Sequence, residues 1–204
     1  DMYVSYLNRF IDKNVNQPFF AIYSMPLVQK PWVPTPNDPE YDTWDPKYDE
    51  IRSDLKYFPS MVNYMDKKIG DIIHHLQDKK IINNTLILFT TDNATNVNIY
   101  SMWRDSLVRG LKNGTILWST RVPLVAYWPR GIEPNQSTST LVDFTDFLPT
   151  FADVARIPVP NNYGILDGTS FYDNLTGRNG IDRAWSFCHW DNDPNDNKQP
   201  IRYI

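Results

Sequence analysis

The sequence predicts an α/β fold in layers, with a largely parallel sheet flanked by helices. Three observations carry that expectation. Residues 19–24 (Phe-Phe-Ala-Ile-Tyr-Ser) and 85–90 (Thr-Leu-Ile-Leu-Phe-Thr) are short apolar runs with little alternation, the pattern of strands buried on both faces. Stretches with apolar residues at helical spacing alternate with these runs. No hairpin signal is read between consecutive strands, so crossover connections are expected.

In chain order, Tyr3, Leu7, Phe10 and Ile11 repeat at helical spacing as far as Lys13, and Asn14 to Asn16 end the pattern. The first strand, 19–24, follows Pro18. From residue 26 to 46 the density of Pro, Asp and Trp permits only loop, and an ordered loop of that length is more often functional than idle. Phe58, Met61, Val62, Met65, Ile69, Ile72, Ile73 and Leu76 then hold one helical face for roughly five turns, closed by Lys79 and Lys80, where cations suit the helix dipole. Asn83 and Asn84 turn the chain into the second strand, which runs into Asp92 and Asn93. A polar loop continues to Ser119. Residues 122–128 give a third strand, stopped by Pro129 and Gly131. Leu141, Phe144, Phe147, Leu148, Phe151, Val154 and Ala155 predict another amphipathic helix, kinked at Pro149. Residues 184–190 are a candidate fourth strand, and no internal repeat is present.

The 204 residues suffice for one domain with a sizeable core, and 41% apolar against 22% charged residues excludes disorder. The formal net charge is −4 and the 20 Lys and Arg are scattered, so neither nucleic acid nor an anionic membrane surface is an expected partner. No apolar run approaches the roughly 20 residues of a membrane helix. The single cysteine, Cys188, cannot form an internal disulfide. Residues 1–7 read as a helix already under way and 200–204 as an interrupted strand, so a piece of a larger domain is expected.

Asp92 and Asn93 are singled out by position, because ligands of open α/β sheets collect beyond the carboxyl ends of strands. A carboxylate beside an amide carbonyl supplies two oxygen ligands to a hard divalent cation, of the roughly 6–8 that calcium takes. The same pair could equally form a turn or cap the next segment. Cys188-His189 and His74-His75 suggest no catalyst or zinc site: adjacent strand residues face opposite sides, and no further Cys or His stands at ligand spacing. Asn-x-Ser/Thr triplets at Asn83, Asn93, Asn113, Asn135 and Asn174 are expected by chance in an Asn-rich chain. Trp32, Tyr41, Trp44, Tyr48 and Tyr57 could form a sugar-binding surface, though pinning the long loop to the core is the stronger expectation.

Pro18-Phe19-Phe20, Pro31-Trp32-x-Pro34, the long helix with Asp66 and Gly70, residues 84–93, Lys112, Arg121-Val122-Pro123-Leu124 and Asp167-Gly168-Thr169-Ser170 share their order and spacing with one family. Across nearly its whole length the chain resembles type I sulfatases, of the alkaline phosphatase-like superfamily. The resemblance is to the C-terminal portion of their catalytic domain, over residues 1–204. It implies an incomplete alkaline phosphatase-like α/β fold and sulfate ester hydrolysis. It also implies that Asp92 and Asn93 are ligands of a calcium site completed only by an N-terminal half, and that Lys112 is the lysine contacting sulfate. That half carries the nucleophile motif Cys/Ser-x-Pro-x-Arg, which the sequence around Cys188 does not match, so residues 1–204 alone are expected to be inactive and to bind calcium weakly. The implied partner is a sulfated small molecule or glycan, the implied location periplasmic or secreted, and surface left apolar by a missing half would favour self-association.

Three positions depart from the family pattern. Gln29, in Gln29-Lys30-Pro31, stands where relatives carry His-x-Pro; glutamine can donate a hydrogen bond to the ester but cannot transfer a proton near neutral pH. If that histidine is a general acid, its loss lowers the rate by about 10²–10⁴. Ala94 replaces a usual Gly, and Leu117-Trp118 a usual Glu-Gly. Two other readings stay open: a phosphate or phosphonate ester hydrolase of the same superfamily, and a non-catalytic relative serving as a glycan-binding or interaction module.

Overall fold

The computed structural model describes residues 2–45, 47, 53–190 and 201–203. They fall into two compact units, Asp1–Thr85 and Leu86–Ile204.

The first unit is built on two helices. In α1 (Met2–Asn14), Val4 and Ile11 lie seven residues apart on one stripe and are buried. In α2 (Phe58–Asp78), Pro59 occupies the first turn, where a missing N–H breaks no helical bond, and Met61, Tyr64 and Leu76 are buried. The helices pack together, and Asp12 ties them further by accepting from Lys79 Nζ at 2.7 Å and pairing with His75 Nε2 at 3.0 Å. His74 is exposed.

The proline-rich loop is anchored by the aromatic residues the sequence singled out. Trp32 is 3% exposed and meets Phe58 edge to face at 6.1 Å; its backbone N–H donates to Ser53 Oγ at 2.8 Å and its backbone carbonyl accepts from Asp54 N at 3.1 Å. Tyr57 is buried too, and its hydroxyl donates to Glu40. Those two rings therefore fasten the loop and offer no face to a sugar; Tyr41 is exposed, and Tyr48 lies outside the described residues. Residues 19–24 differ from expectation. They join no sheet among the described residues, and Phe20 and Ile22 are 61% and 78% exposed. Two-sided burial needs neighbours on both faces, and the described part of this unit contains no strand.

Among its described residues the second unit holds three two-stranded sheets, all antiparallel. Strand β1 (Ile87–Thr90) pairs with β4 (Leu124–Tyr127), Ile87 opposite Tyr127 and Thr90 opposite Leu124. Hairpin β2 (Tyr100–Trp103) and β3 (Ser106–Arg109) lies inside the segment expected to be loop, and β5 (Cys188–Trp190) pairs with β6 (Ile201–Tyr203). The mix of helices and strands is as expected, whereas these strand pairs do not run parallel. An apolar run reports how well a strand is covered, and cover carries no information on direction. The fourth strand is shorter than 184–190, and Cys188 on it is half-buried.

Helix α3 (Leu117–Thr120) is one turn, and α4 (Phe147–Ala155) starts later than the apolar pattern suggested. Asp143 caps the 3-10 turn before α4: its carboxylate accepts from Thr145 N at 3.0 Å while Asp146 Oδ2 accepts from Asp143 N at 2.8 Å. Pro149 consequently falls in the first turn of α4, where its absent N–H has no partner to lose, and the predicted kink has no cause. Phe147 stacks with Phe144 and meets Phe151 and Phe171 edge to face. Beneath the helix, Thr150 is fully buried, donating to Asp146 O at 2.6 Å and accepting from Phe171 N at 3.0 Å, just before α5 (Tyr172–Leu175).

Candidate functional site

Strand β1 delivers Asp92 and Asn93 to its carboxyl end, as its apolar run ending in polar residues predicted. Asp92 is exposed and Asn93 half-buried. The Asn93 Nδ2 group donates to Asp92 Oδ2 at 2.7 Å, and Thr91 Oγ1 donates to the Asn93 carbonyl at 3.1 Å. The first bond turns the amide nitrogen toward the carboxylate and leaves Asn93 Oδ1 and Asp92 Oδ1 as acceptors.

Lys112 reaches the same loop cluster through the backbone. Its N–H donates to Thr95 O at 3.0 Å, two residues beyond Asn93. Gly110 N donates to Ile99 O at 2.8 Å and Arg109 Nε to Val97 O at 2.7 Å, so the segment after β1 is stitched to the segment after β3 along its length. Gly110 is required for this approach: a Cβ there would lie 2.2 Å from Asn96 O and 2.5 Å from Thr95 O. The stitch was not legible from the sequence, although Gly110 two residues before Lys112 was its one signal. Gln29 belongs to the first unit; it is exposed, with its N–H donating to Pro26 O at 3.0 Å.

Donor chemistry at Asp92 and Asn93 suits a hard cation, and its number falls short. Calcium takes roughly 6–8 oxygens, and among the described residues no group of three or more His, Cys, Asp or Glu side chains could hold a metal ion. The pair therefore fits part of a coordination shell.

A second cluster, not anticipated, holds the loop at residues 167–170. Asp146, 2% exposed, accepts four hydrogen bonds: from Thr169 N at 2.6 Å, Asp143 N at 2.8 Å, Arg183 Nε at 3.0 Å, and Arg183 Nη2 in a short contact. Arg183 also donates to Asp167 O at 3.0 Å. Hydrogen bonding to Asp146 holds the guanidinium even further above its ordinary range. Burial pushes the Asp143 carboxyl up, but the Ser186 hydroxyl at 2.5 Å, the Thr145 backbone and hydroxyl, and Arg183 outweigh it, leaving Asp143 below the usual value. The spacing Asp143-x-x-Asp146 before an apolar run was the available sequence signal.

The Sulfatase family profile matches residues 1–157, more than three quarters of the chain. The chain belongs to the sulfatase family. A second profile, N-sulphoglucosamine sulphohydrolase, C-terminal, matches residues 116–201. Among curated relatives, uncharacterized sulfatase YdeN of Escherichia coli (strain K12) is 26% identical over 90% of this chain and 32% of its own length. Among solved structures, the PsFucS1 sulfatase from Pseudoalteromonas sp. superposes with a TM-score of 0.67 at 26% identity, over 93% of this chain and 36% of that one. A structure of BT4656 in complex with its substrate D-glucosamine-2-N,6-O-disulfate superposes with a TM-score of 0.54 at 20% identity, over 72% of this chain and 33% of that one. The sulfatase chain thus spans about a third of the length of each relative, and its α/β fold is theirs. No helix among the described residues is long and apolar enough to cross a membrane.

Proposed function

We propose that this sulfatase chain contributes to hydrolysis of a sulfate ester, with Asp92 and Asn93 as oxygen ligands of a divalent cation, calcium, and Lys112 meeting the sulfate. The observation that carries this reading is the backbone stitch from Lys112 N to Thr95 O, which ties the lysine's segment to the loop bearing the two oxygen ligands. A bound divalent cation would offset the negative charge of the ester oxygens. An ammonium delivered to the sulfate by that segment would stabilise charge developing on the sulfuryl oxygens. Gln29 is the position at which we expect altered catalysis, because an amide donates a hydrogen bond but does not transfer a proton. The partner class is a sulfated small molecule or glycan, the class to which the sulfated sugar bound by BT4656 belongs. The exposed Phe20 and Ile22 make self-association of the 204-residue chain an expected accompaniment, checked by light scattering after size exclusion.

The test is turnover of 4-nitrophenyl sulfate by the natural polypeptide that contains residues 1–204. Lys112→Met and Asp92→Ala should each lower kcat by about 10²–10³, and Gln29→His should raise it. Turnover within about threefold of wild type in both loss variants would remove the assignment.

A further inference from the structure

Hairpin β2–β3 exposes an unusual combination of groups. A two-stranded hairpin is marginal alone, and this one carries Tyr100, Met102 and Leu107 on one face, each more than half exposed. On the other face the Trp103 indole is 43% exposed and meets Trp118 edge to face at 6.2 Å. Two guanidinium groups flank that indole: Arg121 at 4.7 Å and Arg104 at 5.9 Å from the ring centre. Neither arginine makes an ion pair among the described residues, and the only acid in the hairpin turn is Asp105. Arg104 takes a positive φ of 52° at the tip, a conformation that costs a non-glycine residue energy and here directs the chain through a two-residue turn.

We propose that Trp103, Arg104 and Arg121 form a docking site for a sulfated oligosaccharide, outside the group formed by Asp92, Asn93 and Lys112. Charge complementarity commits the choice. Guanidinium forks without carboxylate partners among the described residues, one of them held over the indole at 4.7 Å, suit sulfate oxygens, and the part of the indole left exposed beside them suits the C–H surface of a sugar. A nucleic acid would call for a longer basic track than two guanidinium groups. The site is continuous in sequence with the lysine segment: β3 ends at Arg109, three residues before Lys112, and Arg121 caps the turn of helix that follows it. The inference deepens the sulfate-ester reading and rests on it for the ligand's class.

The experiment titrates the natural polypeptide containing residues 1–204 with fully sulfated maltohexaose, unsulfated maltohexaose and a single-stranded hexanucleotide. Sulfated maltohexaose should bind at least about tenfold more tightly than either of the others. Trp103→Ala and Arg121→Gln should each weaken it by about tenfold, and Trp103→Phe, which keeps a ring, should recover most of the loss. Arg104→Asn, in an exposed turn where Asn tolerates positive φ, is the variant least able to unfold the protein and should weaken binding about threefold. Unchanged affinity in Trp103→Ala and Arg104→Asn, or equal binding of the hexanucleotide, overturns the site. Intact hexaose binding without aryl sulfate turnover overturns the hydrolase reading and leaves this site standing; turnover with hexaose binding indifferent to Trp103 overturns this site alone.

Discussion

Replacing Arg183 with methionine isolates the buried charge that organises the second unit. The substitution keeps most of the aliphatic stem and removes the guanidinium. Asp146 would retain Thr169 N and Asp143 N as donors and lose both Arg183 bonds. Hydrogen bonds to charged groups contribute about 1.5–3 kcal/mol each, so two give about 3–6 kcal/mol. Breaking a buried pair by removing one partner gives about 3–5 kcal/mol independently. The other acceptors of Arg183 add little, because Asp167, Thr145 and Trp185 are exposed and water can replace the lost donor. We therefore expect a loss of about 3–5 kcal/mol in urea unfolding followed by tryptophan fluorescence and far-UV circular dichroism. In the double variant Asp146→Asn/Arg183→Met no buried charge is left alone, and its cost should be smaller than the sum of the single costs. A loss under about 1 kcal/mol would refute the reasoning.

Four further outcomes are expected. Asp143 has a folded-state carboxyl held below its ordinary value, so its contribution is present above about pH 4 and lost as pH falls through the lowered value; Ser186→Ala should weaken this acid-side loss, read from urea midpoints between pH 5 and 2. Gly110→Ala places a methyl against Asn96 O and Thr95 O, and should cost about 1–3 kcal/mol while lowering aryl sulfate turnover more than its stability effect alone explains, measured below the unfolding transition. Trp32→Ala empties a buried site beside Phe58 and should cost about 3–5 kcal/mol in thermal unfolding. Calcium titrated calorimetrically into the isolated 204-residue chain should show no micromolar site, since Asp92 and Asn93 supply only part of a shell; micromolar affinity would contradict that account.

Local patterns were legible wherever the chain satisfies its own chemistry. The stripe from Phe58 to Leu76 predicted α2, because periodic apolar residues specify a helix face whatever covers it. The polar pair after an apolar run predicted Asp92 and Asn93 at the end of β1, and motif spacing predicted the sulfatase family. Residues 19–24 were misread as a paired strand in the described residues, since ladder formation depends on neighbours. Strand direction was illegible for the same reason, and Pro149 was placed mid-helix because the capping box that starts the turn before α4 was not recognised.

By itself, then, the sequence determined the long helix, the strand carrying Asp92 and Asn93, and the family, because each is written in spacing along one stretch of chain. Tertiary structure alone decided that Thr95 meets Lys112, that Arg183 reaches back to Asp146, and that Arg104 and Arg121 flank one indole. Apart from Arg104, which follows Trp103 directly, those contacts join residues well separated in sequence, and folding sets their distances by burial, close approach at Gly110 and the demand that a buried charge be met.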